Sequence, residues 1–131
     1  MVVLFDRKRR KLFSDNYLFG RWGQRQCEKF LKRKGYRTLT KNFSCRGGEI
    51  DLVMTAKGGT VVFVEVKTRK NENFAEAEAA ITSAKKRRMK KAANLFAKKY
   101  KLDDKPLRFD VVIVIADEKG KPQMRHYENA F

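Results

Sequence analysis

Val61-Val62-Phe63-Val64-Glu65-Val66-Lys67 is the segment from which the reading of this chain starts. The strand period of two puts Val62, Val64 and Val66 on one face and Val61, Phe63, Glu65 and Lys67 on the other. A charged pair thus closes an otherwise apolar face. Upstream, Glu49-Ile50-Asp51-Leu52-Val53-Met54 alternates in the same way, aiming Glu49 and Asp51 together with Ile50, Leu52 and Met54 opposite. Ala56-Lys57-Gly58-Gly59 joins the two runs as a glycine-bearing hairpin loop. With the hairpin centred near residue 58, paired residues sum to about 116 and Asp51 falls beside Glu65. Cross-strand neighbours lie roughly 4.5–5.5 Å apart at Cβ, so two or three carboxylates converge with a lysine adjacent. Their repulsion needs a shared proton, a neighbouring cation or a divalent metal. Mg²⁺ takes oxygen ligands and is usually held by one or two carboxylates plus substrate phosphate. The plainer reading is a Glu65–Lys67 surface ion pair, with Glu49 and Asp51 capping a turn. Against it, acidic residues are scarce, and three of the fifteen meet on one face.

Working outward, Tyr36 to Phe43 reads as a strand before the turn Cys45-Arg46-Gly47-Gly48. Before it, a helix from Ser14 or Asp15 to Lys34 buries Leu18, Trp22, Cys27, Phe30 and Leu31 and stops at Gly35. Gly20 and Gly23 each cost this helix about 1 kcal/mol against Ala, unless it starts near Gly20 or something approaches its backbone closely. Glu76 to Tyr100 is helical in two pieces, Thr82 or Ser83 capping the longer. The longer piece docks through Met89, Ala92, Ala93, Phe96 and Tyr100 and clusters six cations near its start. Val111-Val112-Ile113-Val114-Ile115 suits a strand buried on both faces. A turn at Lys119 to Pro122 leads to an edge strand ending near Tyr127.

The 131 residues carry 32 Lys and Arg against 15 Asp and Glu, a net charge of +17. Length and patterning give a single domain over 14–131, preceded by a basic, mobile arm over 1–13 that contains Arg7-Lys8-Arg9-Arg10-Lys11. Cys27 and Cys45 lack metal-ligand or disulfide-framework spacing and read as reduced packing residues. No run approaches the roughly 20 apolar residues of a membrane span, so a cytoplasmic protein without membrane insertion is expected. Each phosphate contact made by a cation releases counterions from a polyanion, which makes nucleic acid the leading partner. A lone His126 without a nucleophile motif excludes a Ser-His-Asp or Cys-His reading.

The motifs Gly20-x-x-Gly23, Gly35-Tyr36, Asn42-Phe43, Gly48-Glu49-Ile50-Asp51-Leu52 and Phe63-Val64-Glu65-Val66-Lys67-Thr68-Arg69 continue with Lys85 and Arg88, Arg108-Phe109-Asp110-Val111-Val112 and Asn129-Ala130-Phe131. In combination, over residues 17–131, they resemble the uncharacterised YraN-like bacterial family, which is similar to the PD-(D/E)XK nuclease superfamily and to its archaeal Holliday junction resolvases. The resemblance implies an α/β, restriction-endonuclease-like mixed central sheet flanked by helices. It implies that Asp51 and Glu65 hold Mg²⁺ or Mn²⁺ with the Val66 carbonyl, and that Lys67 is the motif lysine beside them. The implied activity is hydrolysis of DNA phosphodiesters, in preference to RNA, on branched or damaged substrates, by a protein that can form a homodimer.

Arg46, Arg69, Lys85 and Arg88 flank the carboxylate strands or open the basic helix and are the candidate phosphate contacts. Glu49 is an accessory carboxylate. Gln24 departs from the family pattern, where Glu usually follows Gly23. A neutral amide holds Mg²⁺ less strongly, which leaves open a second reading: a nucleic-acid-binding module with weak or no catalysis. A third is a basic adaptor for an acidic protein or membrane surface. Asp110 reads as an ion-pair partner of Arg108 or of a helix cation.

Overall fold

A computed structural model describes residues 10–12, 14–70, 73–117 and 121–131. Three helices, α1 (Asn16–Arg33), α2 (Phe74–Ala79) and α3 (Ser83–Lys99), accompany five strands: β1 (Arg37–Cys45), β2 (Gly48–Thr55), β3 (Val61–Lys70), β4 (Leu107–Ala116) and β5 (Pro122–Tyr127). The strands form one sheet in the order β1-β2-β3-β4-β5. Only β3 and β4 are parallel. Parallel neighbours need a crossover, and α2 and α3 supply it. This is the expected mixed sheet flanked by helices, consistent with the restriction-endonuclease-like fold.

Period-two alternation in β3 divides the core into two layers. Val62, Val64 and Val66 pack with Cys27 and Leu31 of α1. Val61 and Phe63 pack with Ala92, Ala93 and Phe96 of α3. Val111 to Ala116 of β4 are buried throughout, as a strand covered on both faces requires. Local chemistry sets the helix ends. Asp15 accepts the Leu18 N–H, Asn73 the Glu76 N–H and Thr82 the Lys85 N–H, and Gly35 at φ +95° turns the chain out of α1. The two helical pieces with Thr82 as cap are thus borne out.

The hairpin register also follows the sequence. Leu52 pairs with Val64 and Thr55 with Val61, each summing to the expected 116. Beyond that ladder the simple alternation fails. Ile50 packs with Ala92, Ala93 and Phe96, whereas Leu52 and Met54 face α1. Opposite, in β1, Asn42 has φ +53° between the pairs Lys41↔Leu52 and Phe43↔Ile50, and the register shifts between Thr38 and Thr40. Ile50 and Leu52 thus enter opposite layers, and the regular alternation expected to aim Glu49 and Asp51 together does not run through β2. Two smaller corrections concern helix faces: Phe19 is buried where Leu18 was expected, and Tyr100 is 51% exposed while Ala97 is buried. Residues 10–12 of the basic arm are helical, and 1–9 and 13 lie outside the described residues, as does most of the turn before β5. No described helix is long and apolar enough to cross a membrane.

Candidate active site

The β2–β3 ladder ends at Leu52↔Val64, and one rung further a side chain takes over. Asp51 Oδ2 accepts the Val66 N–H at 2.8 Å, a donor that a continued ladder would have given to a β2 carbonyl. Its Oδ1 accepts from Gln24 Nε2 of α1 at 3.3 Å. Glu65, only 3% exposed, has Oε1 3.4 Å from Lys85 Nζ, while its buried Oε2 has no hydrogen-bond partner. Burial first, and then the Asp51 charge, push the Glu65 carboxyl up to about 8 despite the charges of Lys85 and Lys67. Burial also raises Asp51, against the Val66 N–H, the interaction with the neighbouring Glu65 carboxyl and the Lys85 charge. Both shifts run the same way, so the pair holds a proton more tightly than free carboxylates do.

Such a pair fits a hard divalent cation. The donors are carboxylate oxygens, Glu65 Oε2 is an orphaned buried acceptor, and displacement of the shared proton would relieve the repulsion. Among the described residues no group of three or more His, Cys, Asp or Glu is placed to hold a metal ion. Mg²⁺ does not require such a group, because it keeps waters and takes substrate phosphate as ligands.

The remaining expected residues arrange themselves around this pair. Lys67 lies two residues beyond Glu65 on the same strand, half-buried, and its charge favours the ionised Glu65. Glu49 is exposed opposite Ser44, close enough for its charge to act on Asp51. Lys85, Arg88 and Glu49 line a hollow of about 340 Å³ over Gly47 and Gly48. Glycine is required at residue 48, since a Cβ there would sit 2.4 Å from the Arg88 carbonyl oxygen of α3. Gly23 serves the other layer, where a Cβ would overlap Thr68 of β3, the close backbone approach that its place in α1 called for. Arg46 is exposed in the β1–β2 turn, and Arg69 Nη1 donates to the Thr68 carbonyl at 2.9 Å. The direct pairing of Lys85 with Glu65 was not read from the sequence, because α3 and β3 meet only through tertiary packing.

Residues 23–114 match the family described as Uncharacterised protein family UPF0102. A UPF0102 protein of Pelobacter propionicus is 39% identical over 118 residues, covering 89% of this chain and 84% of its own length. Those of Geotalea uraniireducens, at 38% over 118 residues, and Syntrophomonas wolfei, at 40% over 116, cover 90% and 88% of this chain and 92% and 99% of their own lengths. The chain belongs to the UPF0102 family. This is the YraN-like family that the motifs resembled.

A second charged cluster in this UPF0102 protein is structural, as expected for Asp110. Asp110, fully buried, accepts two hydrogen bonds from Arg108 at 2.8 Å, one from His126 Nε2 at 2.6 Å and one from the Asn129 N–H at 3.0 Å. The Lys34 ammonium lies 3.0 Å from His126 Nδ1 and can only donate. The ring proton is therefore on Nε2, and it points at Asp110. The Ala130 N–H donates to the Phe109 carbonyl and Phe131 stacks on Phe109, so the Asn129-Ala130-Phe131 motif fastens the last residues to β4.

Proposed function

We propose that this UPF0102 protein is a Mg²⁺- or Mn²⁺-dependent endonuclease acting on DNA, branched or damaged DNA included. The observation carrying the reading is the Asp51–Glu65 pair, Asp51 half-buried and Glu65 buried with its Oε2 unpartnered, beside Lys67 and Lys85. Asp51, Glu65 and Val66 would hold the ion. When bound, a divalent cation supplies Lewis-acid polarisation of a phosphodiester oxygen and acidifies water. Lys67 orients the attacking water or offsets charge developing on phosphorus oxygens, and Lys85 and Arg88 hold the scissile strand. Arg46 and Arg69 extend that contact along the backbone. Cytoplasmic residence and a two-fold dimer belong to the same reading.

The test is cleavage of supercoiled and branched DNA with Mg²⁺, Mn²⁺ or chelator. Asp51→Ala and Glu65→Ala should each lower metal-dependent cleavage about a hundredfold or more while leaving salt-sensitive DNA binding intact. Cleavage untouched by both changes removes these residues from the mechanism.

One observation favours a second reading, a DNA-binding module with weak catalysis. Gln24 already occupies Asp51 Oδ1, and Lys85 occupies Glu65 Oε1, so both carboxylates are partly engaged by the protein itself. Gln24→Glu adds an anionic ligand, and cleavage that appears only in that variant identifies the binding module. Failure to bind any nucleic acid at about 0.15 M salt would instead point to an acidic protein or membrane surface.

A further inference from the structure

At the end of the sheet remote from the carboxylates, the C-terminus of α1, the start of β1, the β2–β3 hairpin and the loop after α3 enclose a groove of about 720 Å³. Along β3 the groove begins at Val61, four residues from Glu65, about 13 Å at 3.3 Å per residue. Its rim carries Arg33, Arg37, Lys57 and Lys105, all exposed and without a carboxylate partner among the described residues. A fifth cation, Lys34, is engaged by His126 and lies 4.5 Å over the Phe30 ring. No carboxylate lines the groove; Asp103 and Asp104, next to Lys105 in the chain, are exposed outside it. In the hairpin, Gly58 at φ +98° and Gly59 at φ +95° have nothing within 4 Å of a would-be Cβ, which leaves the turn backbone open to a ligand.

We infer that this groove is a second nucleic-acid surface, one that grips the phosphate backbone of a duplex independently of the carboxylate site. Four unpaired cations contributed by four separate elements meet a periodic polyanion at several points. Leu39 and Leu102 on its lining are aliphatic and no aromatic ring lines it, so it offers nothing on which an unpaired base would stack. Charge without base-reading side chains positions a duplex and reads no sequence. A single acidic peptide, the competing occupant, has neither the charge density nor the regular spacing of a phosphate backbone. The inference extends the proposed function, and its test is separate.

The test uses full-length protein in an Asp51→Ala/Glu65→Ala background, so that binding is read without cleavage. Fluorescence anisotropy with a 20-base-pair duplex gives affinity against salt. Neutralising Arg33, Arg37, Lys57 and Lys105 together to Gln should lower the magnitude of the slope of log K against log salt by about 3–4, at roughly 0.9 per lost phosphate contact. The charge-matched control neutralises Lys29, Lys98, Lys99 and Lys121, exposed cations outside the groove, and should change the slope by less than about 1. Circular dichroism melts establish that both variants fold. Equal slopes in the groove variant and the control overturn the assignment, whatever the fate of the nuclease reading. So does a groove variant that keeps duplex binding but loses binding of a poly-glutamate peptide, which assigns the groove to an acidic protein segment. Loss of cleavage in the Asp51 and Glu65 variants with the groove effect intact leaves this surface standing.

Discussion

Asp110 illustrates how a single buried charge is made favourable. Burial raises its pKa, but hydrogen bonds from His126, Arg108 and the Asn129 N–H outweigh that and hold it below the usual carboxylate value. Because the folded-state pKa is depressed, the stabilisation is fully present above the unfolded-state value and is lost as pH falls through the folded one. Asp110→Asn leaves Arg108 without its carboxylate and should cost about 3 kcal/mol, or roughly 10 °C in Tm for a domain of this size. The checking measurement is thermal unfolding at pH 7 and below pH 4. The gap between wild type and variant should shrink at acid pH, because the wild type loses there what the variant lacks throughout. A constant gap would mean that packing, not charge, is the cause. The Arg108–Asp110 pairing is legible in a strand of period two. His126 and Tyr36, whose hydroxyl accepts from Arg108 at 2.6 Å, are not: they stand 16 and 72 residues from their partners, and no local periodicity encodes such contacts.

Elements meet here through glycines, and the same substitution should act with opposite sign at two of them. A Cβ at Gly48 would press 2.4 Å from the Arg88 carbonyl oxygen, a backbone atom that cannot rotate aside, whereas nothing lies within 4 Å of a Cβ at Gly20 in α1. Gly48→Ala should destabilise by about 1–3 kcal/mol through overpacking, pushing the basic start of α3 away from β2 and Lys85 away from Glu65. Gly20→Ala should stabilise by about 1 kcal/mol, the helix-propensity difference. Urea unfolding measures both, and equal signs would remove the contact argument. Helix ends, the hairpin centre and the two-layered β3 were readable because caps, turn glycines and the period of two are local signals. Sequence arithmetic carried the 116 register from Thr55↔Val61 to Leu52↔Val64 and so brought Asp51 to Glu65. It failed at Ile50, which packs in the α3 layer while Leu52 and Met54 pack in the α1 layer, a break in alternation that no local signal in β2 announces.

At the scale of the whole molecule, cations among the described residues stand at both ends of the sheet, Lys67, Lys85 and Arg88 beside the carboxylates and Arg33, Arg37, Lys57 and Lys105 around the hairpin groove. Composition announces the excess. Only the fold shows which cations stand beside the carboxylates and which around the hairpin groove, because that depends on which strand ends lie together. The two layers of the core differ in accessibility, and the cysteines report it. Cys27, fully buried in the α1 layer, has its thiol pKa driven far up by burial and then by the charges of Asp51 and Glu28, which leaves no thiolate to react at neutral pH. Cys45, at the end of β1, is partly exposed beside the Gly47–Gly48 hollow. A disulfide reagent at pH 8 should therefore label one thiol per native chain rapidly and the second only at the rate of unfolding. In urea both should react together. Labelling of Cys27 in strongly native conditions, at a rate independent of denaturant, would mean that α1 lifts off the sheet on its own; since Gln24 on that helix holds Asp51, the geometry of the carboxylate site would then be only transiently assembled.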